Sequence, residues 1–248
     1  MKKRIIGMLL VAMLTTAGGA FAQDHPFAPE NFSGTMYLTT DYVSRGISFS
    51  GEDPAIQGHF DYAHPGGIFA GIWASSWDSP DIETGYYLGY GGALGDIGYS
   101  LSANYYYYPD ADDDDAEYDY WEFMASANYM FDQVALTPTF GVGYVYSPDY
   151  SGEEGNLHYG NTTLDLALPR NFGLGFEVGY FNLEGDKITG NGNGLDGGDG
   201  YDYVHYRASI YTNLVGFGLD LSYHNTNESD YFGDIGDSRV VFTLSRSL

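Results

Sequence analysis

The sequence predicts an all-β fold: a transmembrane antiparallel up-and-down β-barrel of about twelve strands. Three observations carry that prediction. Alternating segments of roughly ten residues recur along the chain, the length expected of membrane-crossing strands. The gaps between them run short, long, short, long, and the N-terminus reads as an export signal. A representative segment is Ile97-Gly-Tyr-Ser-Leu-Ser-Ala-Asn-Tyr-Tyr-Tyr107. Ile97, Tyr99, Leu101, Ala103 and Tyr105 share one parity, and Gly98, Ser100, Ser102 and Asn104 share the other. Successive strand side chains point to opposite faces, so one face is apolar and aromatic and the other small and polar.

At the N-terminus, Lys2, Lys3 and Arg4 precede an apolar run from Ile5 to Ala20, and Ala20-Phe21-Ala22 supplies an A-x-A cleavage site. Residues 1–22 are expected to be a signal peptide and 23–248 the barrel. No later apolar stretch is long enough for a membrane helix, so any span downstream is β.

Composition agrees. The 25 Tyr and 15 Phe suit aromatic girdles, and the 35 Gly suit strands with a small-residue interior. The absence of Cys excludes a disulfide framework and thiol chemistry. The formal net charge of -25 includes the three leader cations, so the mature chain stands three units lower, at -28. Such a surface repels nucleic acid, and no nucleic-acid partner is expected.

Strands are expected at 35–43, 55–63, 68–75, 82–91, 97–107, 120–130, 134–146, 157–168, 173–183, 203–212, 217–225 and 239–247. Tight turns follow every second strand, at 64–67, 92–96, 131–133, 169–172 and 213–216, with Gly, Pro, Asn and Asp where turn geometry favours them. The intervening connections, 44–54, 76–81, 108–119, 147–156, 184–202 and 226–238, are polar and mostly longer. Short periplasmic turns and long extracellular loops are the outer-membrane pattern, with both chain ends periplasmic.

Parity assigns Met36, Leu38 and Tyr42, Ile68 and Ile72, Tyr86, Leu88 and Tyr90, Trp121 and Phe123, and Phe140, Val142 and Tyr144 to the lipid side. Leu164, Leu166, Leu174, Phe176, Val178, Tyr206, Ile210, Leu219, Leu221, Val240, Phe242 and Leu244 continue that face. The opposite parity holds Asp41, Asp61, Glu83, Glu122, Asp165, Glu177, Arg207, Asp220 and Arg239. A basic residue on the lipid face at mid-membrane costs about 2–4 kcal/mol, so charges that share the other parity are read as lumenal.

Within 31–91, the runs Tyr42-Val-Ser-Arg-Gly-Ile47, Pro54-Ala-Ile-Gln-Gly58, Phe60-Asp61-Tyr62, Gly71-Ile-Trp73 and Gly85-Tyr-Tyr-Leu-Gly-Tyr90 resemble the TorF-type porin family, a proteobacterial group of signal-bearing outer-membrane proteins. That resemblance implies a barrel and a channel, without naming a substrate.

The lumenal acids are the main functional candidates: ionised in water, they concentrate cations. Pairing with Arg207, Arg239 and hydroxyls inside a filled barrel is the competing arrangement. Arg45, after the first strand, either folds inward as a constriction against acidic neighbours or closes a turn by pairing with a loop acid. His59, His205 and His224 fall inward and are read as hydrogen-bonding groups, because no metal-ligand spacing accompanies them. Asp112, Asp113, Asp114 and Asp115, and Asp196 and Asp199 in a Gly/Asn/Asp loop, offer oxygen ligands for Ca²⁺, against a reading as solvated loops. His158 near Ser151 and Asn161 carries no hydrolase motif, and neither an enzyme nor a cofactor is expected.

The expected function is passive diffusion of small solutes across the outer membrane of a Gram-negative bacterium, with a lean toward cations. The alternatives are a non-conducting barrel whose acidic loops serve adhesion or divalent-ion binding, and a barrel lipase or protease. Expected partners are outer-membrane lipid and lipopolysaccharide, the barrel-assembly machinery, and small solutes or cations. Oligomeric state is left open.

Overall fold

Twelve long strands close on themselves in the computed structural model, which describes residues 25–76, 82–109, 118–152, 155–185 and 200–248. The first strand, β1 (Phe32–Thr39), is followed by a two-stranded hairpin, β2 (Val43–Ser44) and β3 (Ile47–Ser48). The wall continues with β4 (Ala55–Ala63), β5 (Ile68–Ser76), β6 (Ile82–Leu94), β7 (Ile97–Tyr107) and β8 (Tyr120–Met130). It is completed by β9 (Thr139–Ser147), β10 (Leu157–Ala167), β11 (Phe172–Leu183), β12 (Tyr201–Leu214), β13 (Phe217–Thr226) and β14 (Arg239–Ser247).

Each wall strand pairs antiparallel with its sequence neighbour, and β1 closes the ring by pairing with both β14 and β4. Closure leaves no free edge, so every wall strand finds backbone partners without water. No helix among the described residues is long and apolar enough to cross a membrane.

The two faces differ as the alternation requires. Leu38, Ile56, Leu88, Leu101, Val142, Phe176, Leu221 and Phe242 are exposed on the outside, whereas Gln57, Glu83, Asn104, Glu122, Glu177 and Asp220 are buried inside. Large apolar side chains exposed around a whole barrel need a hydrocarbon solvent, and polar groups buried within it need partners.

Two strand boundaries depart by four or more residues from the sequence-based expectation. The first strand stops at Thr39 rather than continuing to residue 43. The last ladder contacts are Thr40 N–H to the Phe242 carbonyl, 3.0 Å, and Phe242 N–H to Thr40 Oγ1, 3.0 Å. Beyond them the chain leaves the wall. Tyr42, expected on the lipid side, therefore lies inside, where it meets Trp73 and Glu83. The strand expected at 134–146, β9, begins at Thr139, because the connection before it is longer than three residues. Leu136 (φ 66°) and Thr137 (φ 39°) turn left-handed, and Pro138, which has no N–H, closes the turn by accepting from Phe131 N–H at 2.8 Å.

The expected leader and the Ca²⁺ candidates Asp112, Asp113, Asp114, Asp115, Asp196 and Asp199 lie outside the described residues.

Candidate functional site: the barrel interior

The half of the barrel beside the long connections is filled, and the segment 40–54 fills much of it. Its tip is the β2–β3 hairpin, whose two central residues, Arg45 (φ 50°) and Gly46 (φ 84°), both take the left-handed backbone that a tight two-residue hairpin demands. A Cβ on Gly46 would sit 2.6 Å from the Cβ of His205 on β12, so glycine also permits the tip's close approach to the far wall. Ile47 packs into an apolar cluster with Val145, Leu157, Tyr159, Phe181, Leu183 and Tyr203, and Phe49 packs against it. The connection 227–238 joins in. Its short helix α1 (Ser229–Phe232) places Phe232 edge-on to Tyr203, with ring centres 5.0 Å apart.

Arg45 reaches across the lumen to β8. Its Nη2 donates to both carboxylate oxygens of Glu122, at 2.7 and 2.9 Å, and Glu122 is fully buried. The guanidinium also lies over the Tyr159 ring, 4.8 Å from its centre. Burial opposes the charge on Arg45, but its neighbours, the Glu122 carboxylate first among them, outweigh burial and hold the pKa well above the ordinary arginine value. Tyr42 and Tyr108 both donate to Glu83, at 3.1 and 2.9 Å. Burial first, and then the Glu83 charge, push both phenols well above the ordinary tyrosine value, so they remain donors. On the opposite wall, Glu177 accepts from Tyr159 at 3.0 Å and from Asn161 at 2.8 Å.

A second set of contacts clamps the segment at the rim. Asp41 accepts from Ser48 at 2.7 Å, Ser50 at 2.9 Å and Arg239 at 2.8 Å. Arg239 also donates to the Asp237 carbonyl at 3.0 Å and the Asp234 carbonyl at 2.5 Å. One guanidinium thus joins the segment 40–54 to the connection 227–238.

The half beside the tight turns is lined by polar groups and aromatic rings. His59 lies between Tyr37, 2.9 Å away, and Asp61, and the Tyr87 hydroxyl donates to the other Asp61 oxygen. Arg207 donates to both oxygens of Asp220, at 3.1 and 3.0 Å, and Tyr211 donates to Asp165 at 3.2 Å. Ser100 and Ser126 face each other at 2.8 Å beside the glycines of β9.

The expected site residues therefore fall into separate groups. Arg45, Glu83, Glu122, Glu177 and His205 share the filled half, with His205 stacked on Tyr159 at a 10° interplanar angle. Asp41 and Arg239 form the rim clamp. Asp61 and His59 form one patch of the turn half, and Asp165, Arg207 and Asp220 another. His224 bonds Ser222 at 2.9 Å within β13. His158 is elsewhere, on the outer surface against Tyr144, and is not brought together with Ser151 or Asn161. No group of three or more metal-ligating side chains occurs among the described residues.

Sequence reading missed the aromatic members, Tyr42, Tyr108, Tyr159 and Phe232. Tyr159 carried a signal, because it has the inward parity of its strand. Ile47 and Phe49 carried another: alternating apolar residues inside a nominally polar loop.

Comparison with solved structures supports the architecture. A NanC porin superposes with a TM-score of 0.54 at 10% identity, covering 86% of this chain and 97% of that one. A KdgM porin in complex with disordered oligogalacturonate gives 0.55 at 6% identity, covering 88% and 98%. An outer membrane channel from Pseudomonas putida F1 gives 0.52 at 10% identity, covering 88% and 95%. At such identities the likeness is one of fold. No curated protein sequence matches the chain. A family profile does match residues 23–190, a stretch that contains the motifs at 31–91; its description carries no porin name. The chain belongs to that family, Gcw_chp, described as a bacterial protein of unknown function.

Proposed function

We propose that the protein is an outer-membrane channel for small solutes, with the segment 40–54 as its constriction and a lumen that favours cations. The observation that carries this reading is the charge balance of the interior. Of the seven carboxylates expected to face inward, Asp41, Glu122 and Asp220 are ion-paired with Arg239, Arg45 and Arg207. Asp61, Glu83, Asp165 and Glu177 have no arginine partner among the described residues and are held by tyrosine, histidine or asparagine. These four carboxylates are an excess of acidic over basic side chains in the lumen, a balance that favours cations over anions. Asp61 and Asp165 lie toward the tight-turn ends of their strands, where a solute entering past those turns meets them first.

The filled loop half favours a small or intermittently open passage over a wide pore, in keeping with a barrel whose strand number lies between filled and porin-sized examples. The test is conductance of the refolded mature chain in a planar bilayer under a salt gradient. The reading expects small discrete steps and a cation-biased reversal potential. An inserted, heat-modifiable barrel that never conducts, in the wild type or in variants that free the segment 40–54, would overturn it.

A further inference from the structure

The environment of Arg45 is built like a receptor for an organic cation, and its parts belong to the wall rather than to the segment that carries the arginine. Glu122 stands on β8, fully buried, with Arg45 Nη2 on both of its oxygens. Tyr159 stands on β10 and presents its ring face to the guanidinium. The ring is held without help from Arg45: its hydroxyl donates to Glu177 at 3.0 Å and lies 2.9 Å from His205 Nε2, and the His205 ring stacks on it. Glu177 is fixed in turn by Asn161. The occupant differs from these walls. It arrives on the tip of a two-residue hairpin, at the end of a segment that leaves the barrel wall after Thr40.

We propose that this receptacle, made by Glu122 and Tyr159 with Glu177 behind, is the solute-binding site of the channel, that its ligands are small organic cations bearing a guanidinium or comparable planar cationic group, and that Arg45 occupies it as an internal surrogate when no solute is present. A buried carboxylate opposite an aromatic face selects a weakly hydrated, planar cation over a compact, strongly hydrated one, because the former loses less on leaving water and can both stack and hydrogen-bond. A solute that displaces Arg45 removes the cross-lumen pin of the segment 40–54 while keeping Glu122 neutralised, so occupation of the site and release of the constriction are one event. The solute class rests on the channel reading; the binding site does not.

The experiment uses the mature chain refolded in detergent as wild type, Arg45→Ala and the double variant Arg45→Ala/Glu122→Gln. Thermal unfolding is followed by circular dichroism in millimolar methylguanidinium chloride and in sodium chloride of equal concentration. Arg45→Ala is expected to unfold several degrees below wild type and to recover part of that loss in methylguanidinium but not in sodium chloride. Wild type and the double variant should show no such specific gain. If Arg45→Ala does not refold in sodium chloride, its refolding yield with methylguanidinium present is the same readout. Equal behaviour of the two salts, or equal rescue of the double variant, would overturn the site. In planar bilayers, methylguanidinium should reduce the potassium current of Arg45→Ala but not that of the double variant. Rescue of stability in a variant that inserts yet never conducts would overturn the channel reading and leave the site standing.

Discussion

One nitrogen of Arg45 holds both oxygens of Glu122 across the lumen, at 2.7 and 2.9 Å, between groups 77 residues apart in sequence. The contact joins an inward-folded segment to the barrel wall, and its removal has consequences for stability and passage together. In Arg45→Ala, Glu122 becomes a buried charge without its partner, a loss of about 3–5 kcal/mol for a pair of this kind. The variant should melt earlier and conduct more, with a stronger cation bias, because a lumenal positive charge has gone. Paired melting and conductance measurements check both effects.

Gly46→Ala separates the constriction from its charge. The left-handed backbone at φ 84° disfavours alanine by about 1–2 kcal/mol, and the added Cβ would approach the His205 Cβ at 2.6 Å. The hairpin tip must move while Arg45 remains. Conductance should rise as in Arg45→Ala, and ion selectivity should stay near that of wild type. A shift in reversal potential as large as that of Arg45→Ala would show that position and charge are not separable.

Neutralising three of the four carboxylates that lack an arginine partner tests the field of the lumen. Asp61→Asn, Asp165→Asn and Glu177→Gln, combined, should move the reversal potential toward that of a non-selective pore. The effect should be largest at low salt, where screening is weakest. Single-channel recordings at two ionic strengths decide it.

Releasing the rim clamp should affect gating more than selectivity. Arg239→Ala removes one ion pair to Asp41 and donations to the Asp234 and Asp237 carbonyls. The segment 40–54 and the connection 227–238 then lose their shared anchor. Faster open–closed flicker and quicker proteolysis within 40–54 are expected, whereas unchanged cleavage would deny the clamp.

The lipid-facing assignment has its own check. Val142→Arg, on the outside of β9, should cost about 2–4 kcal/mol if that residue sits near the bilayer midplane. Thr163→Arg, inside the lumen opposite Gly141, should cost much less. Equal losses in membrane-based unfolding titrations would argue against the face assignment.

The wall was legible in the sequence because both of its faces are patterned. The strands at 55–63, 97–107, 120–130 and 239–247 have the bounds expected from alternation and turn residues. Alternation carries the first strand too far because Tyr42 continues the parity of Leu38, and an aromatic ring reads alike whether it meets lipid or a filled lumen. The same alternation starts β9 too early because Val134 and Leu136 extend the apolar parity through a connection closed by Pro138. The site was less legible for a different reason. Parity separates the two faces of each strand but carries no information about which inward group meets which. The pairing of Arg45 with Glu122 and of Arg239 with Asp41, the latter 198 residues apart, depends on the path of the segment 40–54 across the lumen. That path follows from the positive φ values at Arg45 and Gly46 and from Ile47 finding an apolar cluster inside the barrel.

In the proposed channel, passage is set by the segment 40–54 and its Arg45–Glu122 contact. Single-channel conductance of wild type beside Arg45→Ala, in the same bilayer and salt gradient, tests it most directly. Wild type should give small, cation-biased steps, and Arg45→Ala clearly larger, more strongly cation-biased ones. Identical conductance in the two proteins, or an inserted Arg45→Ala barrel that stays silent, would contradict it.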